Sequence, residues 1–158
     1  MMKDLNPEVL SIKPSGIRKF FDLVSEMKDA ISLGVGEPDF DTPWHIREEG
    51  IHSLEKGRTF YSSNAGLLEL REEISRKIES MHGISYSPKD EVMITVGGSE
   101  AIDLAMRVIL TPGDEVLIPE PCYVSYLPCA KMAYGVPVPI PLEEKDEFRL
   151  TPEKLEEA

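Results

Sequence analysis

Residues 91 to 141 alternate between short apolar segments and longer segments with helical spacing. The segment EVMITV is rich in β-branched residues, which favours a strand, and the residues that follow it have the apolar spacing of a helix. The pattern predicts strands at 91–96, 115–118 and 135–141, with helices at 99–110 and 123–133. Because parallel strands need a crossover connection, the sequence predicts a βαβαβ unit with a parallel sheet and right-handed crossovers.

Prolines at alternate positions characterise the third predicted strand. Pro137, Pro139 and Pro141 each lack a backbone N–H. Since successive residues of a strand point their N–H groups to opposite sides, the three missing donors all belong to one side of the strand. The sequence therefore places this strand at an edge of the sheet and excludes a central position.

The part of the chain before the sheet is predicted to be largely helical. Apolar residues at helical spacing indicate a first helix within residues 16 to 27. A second helix is predicted from Pro43 to Lys56, with Gly57 ending it. A third is predicted from Gly66 to His82, followed by Gly83 as a helix-ending glycine.

The composition excludes several classes of protein. The formal net charge of −12 argues against a nucleic-acid surface, which needs clustered Lys and Arg. No apolar run approaches the roughly 20 residues that span a bilayer. Cys122 and Cys129 lie seven residues apart on a predicted helix. This spacing is typical neither of a metal site nor of a redox-active cysteine pair. His45, His52 and His82 have no companion ligands, so no metal site is predicted.

The segment ITVGGSEAI places two glycines at the corner between a predicted strand and a predicted helix. Gly97 and Gly98 carry no Cβ, so the backbone at this corner can approach a ligand closely. The free N–H groups of a first helical turn favour an anion, and Ser99 adds a hydroxyl. The pattern is neither a Walker loop nor G-x-G-x-x-G. Taken alone, the corner is either a phosphate or carboxylate site or a tight turn without a ligand.

Four segments in this order and at these distances distinguish the chain further. They are SLGVGEPDFDTP, TFYSSNAGLLELREEI, ITVGGSEAIDLAM and PGDEVLIPEPCYVSY. Together they resemble the class I/II aminotransferases, enzymes of fold type I that depend on pyridoxal 5′-phosphate (PLP). The resemblance covers residues 15 to 158 and implies an α/β fold that contains the start of the large-domain parallel-rich sheet.

The resemblance implies a role for five residues in cofactor binding. Gly97, Gly98 and Ser99 match the positions that hold the PLP phosphate, and Tyr123 matches the aromatic ring that stacks on the pyridine. Tyr61 matches a tyrosine that reaches the PLP phosphate of the neighbouring subunit. The implied partners are therefore a second copy of the chain, in a homodimer, and amino-acid and 2-oxo-acid substrates.

The resemblance also implies substrate contacts and leaves one group unmatched. Gly36 matches a glycine whose backbone meets the substrate carboxylate, and Ile17 matches a residue that closes over the substrate. Transamination needs a lysine that binds the PLP aldehyde, which the family places in S-x-x-K followed by glycine and arginine. No lysine of this chain has that context; Lys13 imitates part of it but lies in the N-terminal segment. No catalytic residue is therefore predicted in this chain.

The expected organisation is that of an N-terminal fragment of such an enzyme. Residues 1–42 would form the N-terminal segment of the small domain, and residues 43–158 the first part of the large PLP-binding domain. The chain stops just after a predicted helix start at Thr151, which favours truncation. Without an apolar secretory segment, a cytoplasmic location is expected.

Three alternatives to an aminotransferase remain open on the sequence. A β-lyase or a cyclopropane-carboxylate-forming enzyme of the same fold type would share these motifs. A regulator with an aminotransferase-like domain is less favoured, since it usually needs an N-terminal DNA-binding helix-turn-helix. The last is a non-catalytic anion-binding or interaction module.

Overall fold

The structure is a computed structural model that describes residues 5–13, 16, 23, 27, 36 and 38–158. Nearly all of the helix predicted within residues 16 to 27 lies outside these described residues. The chain packs as two compact units, one formed by Met1–Ser15 with Thr95–Ala158 and the other by Gly16–Ile94. The expected division into domains at residue 42 stays a prediction.

The described residues form six α-helices, a two-stranded sheet and a short 3-10 helix. The helices are α1 (Pro7–Ser11), α2 (Trp44–Glu55), α3 (Leu68–His82), α4 (Gly98–Ile109), α5 (Tyr126–Met132) and α6 (Pro152–Glu157). The strands are β1 (Glu115–Glu120) and β2 (Val136–Pro141), and the 3-10 helix is Glu144–Asp146. In the described part of the chain, no helix has both the length and the apolar character needed to cross a membrane.

The core of the first unit lies between α5 and the sheet. Strands β1 and β2 pair in parallel, with Ile118 opposite Pro139, and α5 connects and packs against both. The apolar side chains that are buried there belong to Ile118, Cys129, Ala130, Ala133 and Ile140. Small residues on α5 let this helix lie close to the strands. The predicted parallel βαβ arrangement is thus confirmed for 115–141.

Strand β2 pairs with β1 alone in the described sheet, and its prolines lie on the side that faces away from β1. The N–H of Val136 donates to the Asp114 carbonyl, and the N–H of Leu142 donates to the Glu120 carbonyl, both at 2.8 Å. The even-numbered amides of this strand therefore face β1. The three prolines at odd positions face away from β1, where they leave no unpaired donors.

The strand predicted at 91–96 is wrong. These residues are irregular, and the Ile94 N–H donates to the Ala65 carbonyl at 3.0 Å without forming a strand pair. A strand requires a hydrogen-bonded neighbour, and β1 and β2 pair only with each other among the described residues. The observed sheet therefore has two strands where three were predicted.

Helix α5 begins three residues later than predicted. Tyr123 and Cys122 lie in the loop before Tyr126, so the two cysteines do not share a helix. Cys122 is exposed and Cys129 is buried, and removal of the thiol from water raises the pKa of Cys129. The delayed helix leaves Tyr123 on a loop that follows β1.

In the second unit, α2 and α3 confirm two predicted helices with small shifts at their starts. Pro43 precedes the first residue of α2, and α3 is followed by Gly83, whose φ of 68° is left-handed. The buried residues of α3 are polar. The Arg71 guanidinium donates to the Pro88 carbonyl at 2.7 Å, and Ser75 donates to the Tyr86 carbonyl. These contacts hold the loop after α3 against the helix.

Candidate functional site

The corner before α4 has a backbone conformation that essentially only glycine adopts. Gly97 has φ 83° and ψ 169°, a region closed to residues with a Cβ. Its N–H donates to the Thr95 carbonyl at 2.9 Å, and its own carbonyl accepts the Thr95 hydroxyl at 3.0 Å. These two bonds turn the chain sharply from the irregular segment into the helix.

The first turn of α4 leaves backbone donors without partners. No side chain caps the helix at Gly97. Ala101 is the first residue of the turn whose N–H finds a carbonyl, that of Gly97 at 3.5 Å, and within the described residues the N–H groups of Gly98, Ser99 and Glu100 have no acceptor. Three free donors at the positive end of a helix are suited to an oxyanion.

Open space surrounds Gly98. A Cβ built on Gly98 meets no atom within 4 Å, and the same holds at Gly97. The two positions thus differ, because Gly97 is required by its backbone angles whereas Gly98 has an ordinary helical backbone. The missing Cβ of Gly98 leaves room for a group that would lie against the amides.

Ser99 and Tyr123 meet across the loop that follows β1. The Ser99 Oγ and the Tyr123 hydroxyl are 3.0 Å apart, although the residues are 24 positions apart in sequence. The sequence predicted both residues for one site, and the structure brings them within hydrogen-bond distance of each other, with Gly97 and Gly98 directly preceding Ser99 in the chain. The aromatic ring is therefore anchored at the helix N-terminus by its hydroxyl.

The surroundings of Tyr123 make it more acidic and hold its ring. Hydrogen bonds from Ser125 and then Ser99 lower the pKa of the Tyr123 phenol. The Tyr126 ring packs edge-on against it, with centroids 5.7 Å apart and planes at 78°. The residue is half-exposed, so part of its surface remains accessible to another flat group.

Glu100 is a residue of this corner that the sequence interpretation missed. Its carboxylate accepts the backbone N–H of Val96, on the other side of Gly97. Glu100 lies three residues after Gly97, the residue that precedes α4, but it accepts the N–H of Val96 and Gly97 has no side chain, so the arrangement is not a capping box. Glu100 therefore belongs to the framework of the corner.

An open cavity of about 730 Å³ lies beside Tyr123 in the same unit. Its lining includes Ile12, Val124 and Leu127, with the Lys131 ammonium donating to the Ser11 hydroxyl at 3.2 Å nearby. Gly97, Gly98 and Ser99 do not line it. The predicted anion site is therefore a surface feature of the α4 corner and not part of this cavity.

The arrangement of the corner fits a phosphate joined to an aromatic ring. Free amides and a serine hydroxyl supply hydrogen-bond donors for phosphate oxygens. The Tyr123 ring, tied to Ser99 through its hydroxyl, can stack on a planar ring. A phosphate and a pyridine ring in one molecule, as in PLP, match this combination of groups.

The remaining predicted residues lie in the second unit or outside the described residues. Tyr61 is fully exposed, at 107% of the reference surface of a tyrosine, and Gly36 is exposed with no atom within 4 Å of a Cβ built on it. Ile17 lies outside the described residues. The roles expected of these three residues stay predictions.

Comparison with known proteins gives one family. The family model for aminotransferase class I and II matches residues 28–158. Aromatic-amino-acid aminotransferase 2 of Thermococcus litoralis is 47% identical over 152 residues, which is 96% of this chain and 39% of that protein. Aspartate aminotransferase of Pyrococcus abyssi is 47% identical over 144 residues, or 91% of this chain and 37% of that protein.

A solved structure agrees with these relatives. Aspartate aminotransferase from Thermus thermophilus with maleate superposes with a TM-score of 0.87 at 36% identity, covering 99% of this chain and 42% of that one. The predicted fold class, the first part of a fold type I α/β domain, is thereby confirmed. The chain spans about two fifths of the length of the proteins it matches. It belongs to the class I and II aminotransferases.

Proposed function

We propose that this chain is the part of a PLP-dependent aminotransferase that binds the cofactor phosphate and stacks on its ring. The intact enzyme would transfer an amino group between an amino acid and a 2-oxo acid. The observation that carries this proposal is the open N-terminus of α4, with free amides at Gly98 and Ser99 beside Tyr123. The family of the chain supports the same function.

Each residue of the corner has its own task in the proposal. The amides of Gly98 and Ser99 donate to the phosphate, and the positive end of α4 favours its charge. The Ser99 hydroxyl donates to the same phosphate while it accepts a hydrogen bond from Tyr123. The Tyr123 ring then fixes the plane of the cofactor. When bound, PLP supplies an electron-withdrawing ring that stabilises negative charge at the substrate Cα.

The proposal extends to a homodimer and to the substrate. Tyr61 would reach the phosphate of the neighbouring subunit, and its complete exposure within its own chain supports a contact outside that chain. The exposed backbone of Gly36 would meet the substrate carboxylate, and Ile17 would close over the substrate. Residues 1–42 would belong to the small domain and residues 43–158 to the large domain. We place the enzyme in the cytoplasm.

Binding of pyridoxamine 5′-phosphate tests the cofactor site directly. This compound carries the phosphate and the ring but has no aldehyde that could react with surface lysines. We expect the 158-residue chain to bind it at least tenfold more tightly than pyridoxamine, as measured by titration calorimetry. Equal binding of the two compounds would contradict a phosphate site.

Two variants separate the ring of Tyr123 from its hydroxyl. Tyr123→Phe keeps the stacking ring and loses the bond to Ser99, so we expect a loss of binding of a few fold. Tyr123→Ala loses both and should bind at least tenfold more weakly. Tyr134→Ala is the matched control, since Tyr134 is a half-exposed tyrosine of the same unit. If Tyr123→Ala binds pyridoxamine 5′-phosphate as tightly as Tyr134→Ala does, the proposed stacking of Tyr123 on the cofactor ring is wrong.

We expect the chain by itself not to transaminate, because no lysine in it matches the family position that binds the PLP aldehyde. The measurement is the formation of 2-oxo acid from an amino acid in the presence of PLP. A borohydride-reducible bond between PLP and one particular lysine of this chain would contradict the expectation.

The role of Tyr61 is tested by the concentration dependence of binding. In a dimer, Tyr61→Ala should weaken binding of pyridoxamine 5′-phosphate, whereas in dilute monomer it should have no effect. Sedimentation of the same samples gives the fraction of dimer. An effect of Tyr61→Ala that is equal in monomer and dimer would contradict a contribution across subunits.

A further inference from the structure

Glu100 lies in the first turn of α4 with its carboxylate directed back along the chain. The backbone N–H of Val96 donates to one carboxylate oxygen of Glu100. Between the two residues, Gly97 turns the chain with its positive φ of 83°. One side-chain contact thus connects the backbone on both sides of the glycine corner.

This contact occupies the last amide before the corner. The segment at 92–96 pairs with no strand among the described residues, so the Val96 amide has no partner in a sheet. The Val96 side chain is 92% exposed and does not anchor the segment by packing. The hydrogen bond to Glu100 and the Thr95 hydroxyl bond to the Gly97 carbonyl therefore fix the direction in which the helix begins.

A negative charge in the first turn of a helix has a second, simpler explanation. Any carboxylate near the N-terminus is favourable for the helix dipole, whether or not it reaches a particular amide. The same charge would also repel a phosphate bound at that end. The reach of Glu100 to Val96 is thus the feature that a purely electrostatic explanation does not require.

We propose that Glu100 is a positioning residue for the phosphate site: its contact with the Val96 amide holds the free amides of Gly98 and Ser99 in the orientation that binds a phosphate. This inference rests on the proposed function. It assigns Glu100 an acceptor role in which the hydrogen bond matters and the negative charge does not.

Three substitutions separate the hydrogen bond from the charge. Glu100→Gln keeps an oxygen acceptor at the same reach and removes the charge. Glu100→Asp keeps the charge in the first turn but is one methylene too short to reach over Gly97. Glu100→Ala removes both. We expect Glu100→Gln to bind pyridoxamine 5′-phosphate within twofold of wild type, and the other two variants to bind at least fivefold more weakly.

Inorganic phosphate and amide hydrogen exchange give readouts that do not depend on enzyme activity. Phosphate should shift the amide NMR signals of Gly98 and Ser99 in wild type and in Glu100→Gln at similar concentrations, and only at higher ones in Glu100→Asp. Without phosphate, the Val96 amide hydrogen should exchange slowly in wild type and in Glu100→Gln, and faster in Glu100→Asp. Glu69→Ala, which removes a first-turn glutamate of α3, is the control.

The possible results lead to different conclusions. A wild-type chain that binds neither inorganic phosphate nor pyridoxamine 5′-phosphate contradicts the proposed function, and the role of Glu100 with it. Binding by wild type that Glu100→Asp and Glu100→Ala leave unchanged contradicts only the role of Glu100. Tighter binding by Glu100→Ala than by wild type would make charge repulsion the sole effect of this residue. If Glu100→Ala does not fold, the comparison of Glu100→Gln with Glu100→Asp still separates the hydrogen bond from the charge.

Discussion

Helices α4 and α6 begin in opposite ways. The N-terminus of α6 is closed by its own sequence: Thr151 accepts the Lys154 N–H at 3.4 Å, and Pro152 has no N–H to satisfy. Helix α4 begins at a glycine with no side-chain cap, and the amides of its first turn have no acceptor among the described residues. The difference shows that α4 forgoes a stabilising cap, which a ligand could replace.

Among the substitutions that test this difference between α4 and α6, Gly97→Ala should have the largest effect on stability and phosphate affinity. An alanine at φ 83° and ψ 169° costs about 1–3 kcal/mol, so the free energy of unfolding should fall by that amount. The corner would also turn differently and lose its affinity for phosphate. Urea unfolding followed by circular dichroism measures the first effect and phosphate titration the second. A stability equal to wild type would show that the corner tolerates another conformation.

Gly98→Ala should affect binding and spare stability. A Cβ at this position meets no atom within 4 Å, and alanine is a better helix former, so stability should be unchanged or up to about 1 kcal/mol higher. The new methyl group would occupy the space of a phosphate oxygen, and we expect at least a tenfold loss of binding of pyridoxamine 5′-phosphate. Unchanged binding would contradict a phosphate position next to Gly98.

Thr151→Ala should open the N-terminus of α6 without creating a binding site. Loss of the cap typically costs about 1 kcal/mol, here expected as faster hydrogen exchange at Lys154 and Leu155. Thr151→Ser keeps the acceptor oxygen and should exchange like wild type. Phosphate affinity should not change in either variant. A gain of phosphate binding in Thr151→Ala would mean that an open helix end is sufficient by itself.

Acid should weaken the contacts of α6 only at low pH, and this effect should be the smallest. A hydrogen bond from the Lys154 ammonium, at 2.9 Å, lowers the pKa of Asp146 below its ordinary value. A carboxyl with a lowered folded-state pKa stabilises the fold above its ordinary pKa. That contribution is lost as the pH falls through the folded-state pKa.

The titration of Asp146 is measured by NMR of its carboxyl carbon. Lys154→Met removes the donor and should return the midpoint toward the ordinary value for aspartate. The Thr151 cap carries no charge and should not respond over the same pH range. Identical midpoints with and without Lys154 would exclude this contact as the cause of the shift.

The sequence predicted local structure well where neighbouring residues determine it. The caps at Thr151 and Gly83 and the helical spacing of α3 and α4 depend on short-range patterns. The parallel pairing of β1 with β2 followed from the order strand, helix, strand, which brings two consecutive strands side by side. The strand predicted at 91–96 was wrong because a strand depends on a partner segment, which β-branched composition does not supply.

The candidate site could be predicted in part. The glycines and Ser99 follow from the chemistry of a strand-to-helix corner, but Tyr123 lies 24 residues away and only the family resemblance connected it to Ser99. Their hydrogen bond depends on tertiary packing, which periodicity does not report. The contact of Glu100 with the Val96 amide depends on the positive-φ turn at Gly97, which a sequence pattern does not report.

The prolines of β2 have a consequence for how the sheet can grow. Along its outer side, from Pro137 to Pro141, β2 presents carbonyl oxygens but no amide hydrogens, so an incoming strand would find acceptors and no donors. Any further strand must therefore add beside β1. The same arrangement protects this edge against uncontrolled pairing with other polypeptides, the first step of aggregation through exposed strands.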